Sequence, residues 1–181
     1  MNAPLPPPPA PTKRFPTWAI VLLAIGGVFF LVVPVFAVLA VYGVRKYIAN
    51  AKTAEARVTL AALAKDAASA YERDHALCPS ASSPVPADIS MVSAQKYQSA
   101  QGDWAGPDLA KHAGFACLRF SLELPQYFQY SYEAPNPNSF LVTAHGDLNG
   151  DGQYSTFVVR GQVQGGAVRI APQIEETSPE E

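Results

Sequence analysis

The sequence predicts an α+β protein in which a single transmembrane helix continues into a long amphipathic helix packed on an antiparallel β-sheet of about four strands. Three observations carry this. Thirty consecutive residues between Arg14 and Arg45 bear no charge. The stretch from Val44 to Leu77 holds neither proline nor glycine and repeats small and apolar residues at helical spacing. From Cys117 onward the apolar period falls to two, and the segments are separated by Asn-Gly, Asp-Gly and Gly-Gly pairs.

The first element is the proline-rich arm 1–16. Seven of the chain's 17 prolines fall there, in "APLPPPPAPTKRFP". Proline lacks an amide donor and fixes φ, so this arm is read as a polyproline II spacer or a disordered segment. The second element, 17–44, is the run "TWAIVLLAIGGVFFLVVPVFAVLAVYGV". A bilayer core needs about 20 apolar residues, which this run exceeds. It is also too long for the apolar part of a cleaved signal and lacks a small-x-small site, so it is read as a retained anchor. Trp18 and Tyr42 stand where interfacial aromatics stand, and Pro34 lies mid-span.

Helix 45–77 follows without a break. Ala49, Thr53, Ala56, Leu60, Leu63, Ala67 and Ala70 alternate spacings of four and three, which is a narrow small-residue stripe along one face. Such a stripe allows close approach of partner helices. Lys52, Glu55, Lys65 and Glu72 fall off it. With the anchor, the helix would be about 85 Å long at 1.5 Å per residue. Pro79, Pro84 and Pro86 end it.

Residues 78–116 form an irregular loop, with a short helix expected at "PDLAKHAG". Strands are expected at "LRFSL", "YFQYSYEA", "SFLVTAH", "STFVVRGQV" and "AVRIAPQI", giving a sheet over 117–172. Phe128, Tyr130 and Tyr132 alternate with Tyr127, Gln129 and Ser131 and are read as the core face. Residues 173–181, with Glu175, Glu176, Glu180 and Glu181, are read as a solvated acidic tail.

The formal charge of −2 and the scattered basic residues offer no nucleic-acid footprint. Cys78 and Cys117, the only cysteines, stand at the two ends of the irregular loop and are expected to form a disulfide closing about 40 residues. The motif "DLNGDGQYS" places Asp147, Asn149 and Asp151 at alternate positions of a calcium-type loop, with Gln153 and Ser155 as further oxygen donors. The twelfth position, where a bidentate Glu belongs, is Val158. The same residues also suit a plain hairpin turn, so Ca²⁺ is a candidate ligand only. His75, His112 and His145 are scattered; His145 stands two residues from Asp147, and Ser80 and Ser155 are the nominal nucleophiles. Glu123 is read as a strand-edge charge. No G-x-S-x-G, H-E-x-x-H or glycine-rich phosphate loop occurs, so no enzyme, cofactor or small-molecule substrate is expected.

The stretch "AVYGVRKYIANAKTAEARVTLAALAKDAASAYERD", followed by loop and sheet, resembles the helix of the type IV pilin family, including the type II secretion pseudopilins. Tyr71 matches the aromatic that often closes that helix, and the "GDLNGDGQYSTFVV" hairpin is similar to those of bacterial pilin-like proteins. The resemblance covers roughly residues 20–170. It implies a pilin-like domain over 45–172 and a fimbrial, minor-pilin or pseudopilin structural subunit. Such a subunit is single-pass in the bacterial inner membrane, has its C-terminal domain in the periplasm or at the cell surface, and packs by its helices against other pilin-like subunits. The chain has no acidic residue between Arg14 and Arg45, so it lacks the early glutamate and a clear prepilin peptidase site. The alternative reading is an extracytoplasmic anchored module that binds calcium or another ligand. Arg45, Lys46, Lys52 and Arg57 outnumber Lys13 and Arg14 across the apolar run, which by the positive-inside rule places the domain in the cytoplasm. The cysteines and the resemblance place it outside, and that placement is preferred.

Overall fold

In the computed structural model of the chain, residues 16–106 and 108–179 are described. The proline-rich arm before Pro16, and Glu180 and Glu181, lie outside them. The architecture is α+β: a long helix α1 (Thr17–Asp74), short helices α2 (Gln101–Ala105) and α3 (Gly114–Leu118), and strands β1 (Gln129–Asn136), β2 (Ser139–Gly146), β3 (Ser155–Gln164), β4 (Ala167–Ile170) and β5 (Glu175–Thr177). The chain divides into two units, 1–44 and 45–181.

In the first unit α1 runs through Pro34 and is long and apolar enough to cross a membrane. Its large side chains are exposed all round; Leu23 and Phe30 keep 75% and 79% of their surface. An apolar helix that buries no face within its own unit has lipid as the solvent that suits it.

In the second unit the rest of α1 is a core element. Ala56, Leu60, Leu63, Ala64, Ala67 and Ala70 are essentially inaccessible. Against them lie Tyr130, Tyr132, Phe140, Val142, Phe157 and Val159 of the sheet and Phe128 just before β1. The small-residue stripe is therefore consumed inside the domain and is not open to partner helices as its spacing suggested. The residues left outward are Ala51, Ala54, Val58, Ala61 and Ala62, with Val58 at 71% exposure. The helix ends where His75 takes a left-handed conformation and its amide bonds to the Tyr71 carbonyl at 2.8 Å.

The sheet is antiparallel in the order β1-β2-β3-β4, and β5 pairs with β3 beyond the end of β4. Gly165 and Gly166 both have positive φ, the requirement of a two-residue turn between β3 and β4. At Gly161 a Cβ would overlap the Phe140 ring, so glycine there lets β3 close on the core.

Three expectations are corrected. "LRFSL" is not a strand. Cys117 and Leu118 finish α3, Arg119 turns left-handed, and Phe120 joins a cluster around Trp104. Apolar side chains gathered about one indole override the period of two. Trp104 meets Phe115 edge-on at 4.9 Å and Phe120 at 5.3 Å, and its Nε1 donates to Ser99 Oγ at 2.9 Å. The segment 173–179 is not a free tail either. Glu175–Thr177 is strand β5, because Arg160 and Arg57 neutralise its carboxylates. The short helix expected at "PDLAKHAG" is a 3₁₀ turn over Leu109–Lys111.

The connector is thus organised rather than loose. Residues 81–85 run along β1, with Ala81 N to Tyr132 O at 2.9 Å and the Val85–Tyr130 amides exchanging bonds at 2.9 and 2.8 Å. This covers the outer edge of β1. Replacing Leu63 by Ala is expected to cost about 2–5 kcal/mol, because the cavity opens between helix and sheet. Urea unfolding of the full chain in detergent, followed by near-ultraviolet circular dichroism, measures it; a loss under about 1 kcal/mol would contradict this packing.

Candidate functional site

Three places in the second unit concentrate polar chemistry. The disulfide comes first. Cys78 and Cys117 are bonded across a separation of 39 residues, with Cα atoms 5.8 Å apart. Both are buried. Tyr132 Oη donates to the Cys78 carbonyl at 3.0 Å, and Arg73 Nη2 to the Cys117 carbonyl at 3.1 Å. Helix end, connector and sheet meet at this one bond. Asp74, His112 and Cys117 also approach one another. The Cys117 sulfur is spent in the disulfide, and Asp74 is held by Arg73 at 2.8 Å, so this trio makes no metal site.

The second place is the seam between α1 and the start of β1. Glu55 is half-buried and accepts from the Tyr127 amide at 2.8 Å, with Tyr130 Oη at 3.5 Å. Burial holds its carboxyl above the usual carboxylate value, against the opposing pull of the Tyr127 amide, Lys96 and Tyr130. Two ammonium groups lie over the Tyr127 ring, Lys52 at 4.8 Å and Lys96 at 4.7 Å from its centre. Lys52 also donates to the Leu148 carbonyl at 3.2 Å. Burial pushes the Tyr130 and Tyr132 hydroxyls far above their ordinary value, so both stay neutral and act as hydrogen-bonding core groups. Lys52 and Glu55 lie off the small-residue stripe, but each immediately precedes a stripe residue, Thr53 and Ala56, and that position is the signal that they border the buried face.

The third place is the loop 147–155. The Asp147 side chain is buried and accepts from Ser93 Oγ at 2.7 Å, Gly150 N at 2.6 Å and Gly152 N at 3.2 Å. Burial pushes its carboxyl up, but these donors outweigh it and hold it below the usual range. Asp151 accepts from Gln153 N at 2.8 Å and Asn149 Nδ2 at 3.1 Å, and Asn149 Oδ1 accepts from Asp151 N at 3.0 Å. Ser155 Oγ is buried and donates to the Gly146 carbonyl at 3.2 Å. The five candidate ligands do form one hairpin loop, yet the oxygens of Asp147, Asn149 and Asp151 accept from the loop's own amides and from Ser93, and Ser155 Oγ is turned to the Gly146 carbonyl. Val158 lies in β3 and supplies no side-chain oxygen. Two carboxylates already capped by backbone donors are a poor donor set for a hard divalent cation. The loop is satisfied as a turn.

The remaining candidates separate. His145 bonds Thr156 Oγ1 through Nδ1 at 2.9 Å, and burial lowers its pKa. It therefore faces the neighbouring strand, while Asp147 is committed to its amides. Ser80 Oγ accepts from Ala134 N at 2.8 Å. Glu123 is exposed and lies in a connecting segment, not at a strand edge. His75 and His112 are exposed.

Comparison with protein-family models, with curated proteins and with solved structures returns no match for this chain.

Three outcomes are expected. Removing the disulfide as Cys78→Ser/Cys117→Ser should cost about 4 kcal/mol, the loop-closure value for some 40 residues, measured by denaturant midpoint. Added calcium should leave the melting temperature unchanged. A calcium-dependent rise that disappears in Asp147→Asn would establish the ligand-binding alternative. The third outcome concerns Glu55. Its folded-state pKa lies above the unfolded value, so its ionisation opposes folding above that pKa, and the opposition fades as pH falls through it. Glu55→Gln keeps an acceptor for the Tyr127 amide. Its stability relative to the parent should be highest near neutral pH and should decline as pH falls toward about 4. A difference independent of pH would refute the assignment.

Proposed function

We propose that the protein is a membrane-anchored, pilin-like structural subunit of the fimbrial, minor-pilin or pseudopilin kind. It is held in the bacterial inner membrane by 17–44, with the disulfide-bonded domain in the periplasm or at the cell surface. One observation carries this reading. The helix Thr17–Asp74 is uniformly apolar and exposed in its first part, and in its second part is the buried element on which an antiparallel sheet is built. An anchor alone has no need of the second property, and a soluble core helix has no use for the first.

Further features support it. The buried disulfide suits an oxidising compartment. The disulfide, Glu55 and the carboxylates of loop 147–155 each bond within the domain and serve the fold. Two of the basic residues that argued for a cytoplasmic domain are engaged by it: Arg57 pairs with Glu176 at 2.7 Å, and Lys52 bonds Leu148 and covers Tyr127. They read as packing residues rather than topology signals. Contact with other subunits falls to the apolar segment 17–44 and to the outward small residues Ala51, Ala54, Ala61 and Ala62, since the Leu60–Ala70 stripe is already buried.

The test is thiol alkylation in intact native cells, weighing the protein with and without reduction. Addition of two alkyl groups only after reduction is the expected result. Ready alkylation of Cys78 and Cys117 without reductant would put the domain in the cytosol and end this reading. A cysteine at Ala37, oxidised in the membrane, is expected to cross-link the chain to further copies or to related subunits.

A further inference from the structure

Strand β5 is the last described strand of the chain and is bound in an unusual way. It pairs with β3 through only three residues, Thr156 with Thr177, Phe157 with Glu176, and Val158 with Glu175. All three β5 residues are exposed. Ile174, just before it, is partly buried against the core, and the strand itself is held by two arginine clamps of opposite facing. Arg57 of α1 grips Glu176 with Nε at 2.7 Å and Nη2 at 2.9 Å. Arg160 of β3 grips Glu175 with Nε at 2.9 Å and Nη2 at 3.3 Å. Because alternate side chains of a strand point to opposite faces, the two clamps seize β5 from both sides of the sheet. The link back to β4 is short and contains Pro172, with a single bond from Ala171 N to the Arg160 carbonyl at 2.8 Å.

We propose that the β3 edge between Arg57 and Arg160 is an acceptor for an acidic strand, and that in the assembled protein it takes Glu175–Thr177 from a second copy of this chain. The strand already seated there shows what fits: an extended segment with two adjacent carboxylates. Exchange between copies remakes the same ladder bonds and ion pairs that release of the strand breaks, so its cost is confined to the hinge and to the entropy of association. Three ladder residues, two exposed ion pairs and the partly buried Ile174 hold the strand in its own chain, and Ile174 would exchange together with it. Copies confined to a membrane meet at high effective concentration, which favours the exchanged form. The added strand also binds by main-chain hydrogen bonds, the usual mode of sheet augmentation. This inference rests on the proposed subunit reading and deepens it by naming a contact outside the apolar segment.

The experiment co-expresses two differently tagged full-length chains, one Thr156→Cys and the other Thr177→Cys. These positions are direct partners across β3 and β5. A disulfide-linked heterodimer after mild oxidation in the membrane is the expected result. A chain carrying both substitutions serves as the geometry check and should close its own bridge or link to a neighbour; failure to do either would overturn the proposal. Reversing the acceptor's clamps (Arg57→Glu/Arg160→Glu) should lower heterodimer yield roughly tenfold, the effect of two exposed pairs. Reversing the donor as well (Glu175→Arg/Glu176→Arg) should restore it. The Ala37 cysteine is read in parallel. Cross-linking at Ala37 without heterodimer through β3 would overturn the strand exchange and leave the subunit reading standing. Cross-linking at neither would overturn both.

Discussion

Burial of one face of α1 beneath the sheet is the constraint on which the domain depends. Ala56, Leu60, Leu63, Ala67 and Ala70 present a narrow ridge, and the sheet answers with large rings, Phe128, Tyr130, Tyr132, Phe140 and Phe157. Small residues on the helix and large ones on the strands are the same fact seen from two sides. With alanine on the ridge, the rings can reach the helix backbone, and five aromatic side chains can be fully enclosed in a domain of modest size. The tyrosines among them bring hydroxyls into the core, so each needs a partner. Tyr132 finds the Cys78 carbonyl, and Tyr130 reaches toward Glu55. The polar groups these tyrosines meet, the Cys78 carbonyl and the half-buried Glu55, lie at the edge of the same packed face.

The connector solves a second problem that the first creates. A helix and sheet of this kind leave β1 as an open edge, and residues 79–128 close it. Part of that segment pairs with β1 directly, and part builds a satellite core on Trp104, itself stacked near Tyr130 at 6.4 Å. Asp108 holds the middle in place by accepting from the amide and hydroxyl of Ser82. The disulfide and this aromatic cluster act on the same segment, one covalently and one by burial. Its own helices α2 and α3 are only five residues each, and a connector of such length would be unusual in a compact domain without these ties.

Legibility in the sequence tracked how local the determining physics is. The charge-free run, the helical stripe, the alternation of Phe128, Tyr130 and Tyr132, the glycine turns and the cysteine pair are each readable within a few residues, and the structure contains all of them. What escaped depends on partners distant in sequence. Strand β5 forms because Arg57, 119 residues away from Glu176, meets it in space; read alone, "IEETSPEE" can only be a charged tail. "LRFSL" looks like a strand until Trp104 supplies another use for Phe120. The loop 147–155 was ambiguous because the residue types that ligate calcium are those that cap turns. Its geometry resolves toward the turn, since each carboxylate meets amide or hydroxyl donors.

The outward side of α1 in the domain gives the last step. Ala51, Ala54, Val58, Ala61 and Ala62 are exposed, and none carries a charge. A helix covered by a sheet on one side needs only a polar surface on the other, and lysine or glutamate would serve there at a cost of only tenths of a kcal/mol in helix propensity relative to alanine. Lys65, Ser69 and Glu72 do serve so farther along. The change from alanine to charged residues along that side marks where close approach by a second helix would stop being favourable. Small side chains let helix backbones come near enough for dispersion contacts to accumulate, in water as in lipid. An uncharged, small-residue surface that begins within seven residues of the apolar segment's last residue, Val44, is what a subunit packing helix against helix would carry into its soluble part.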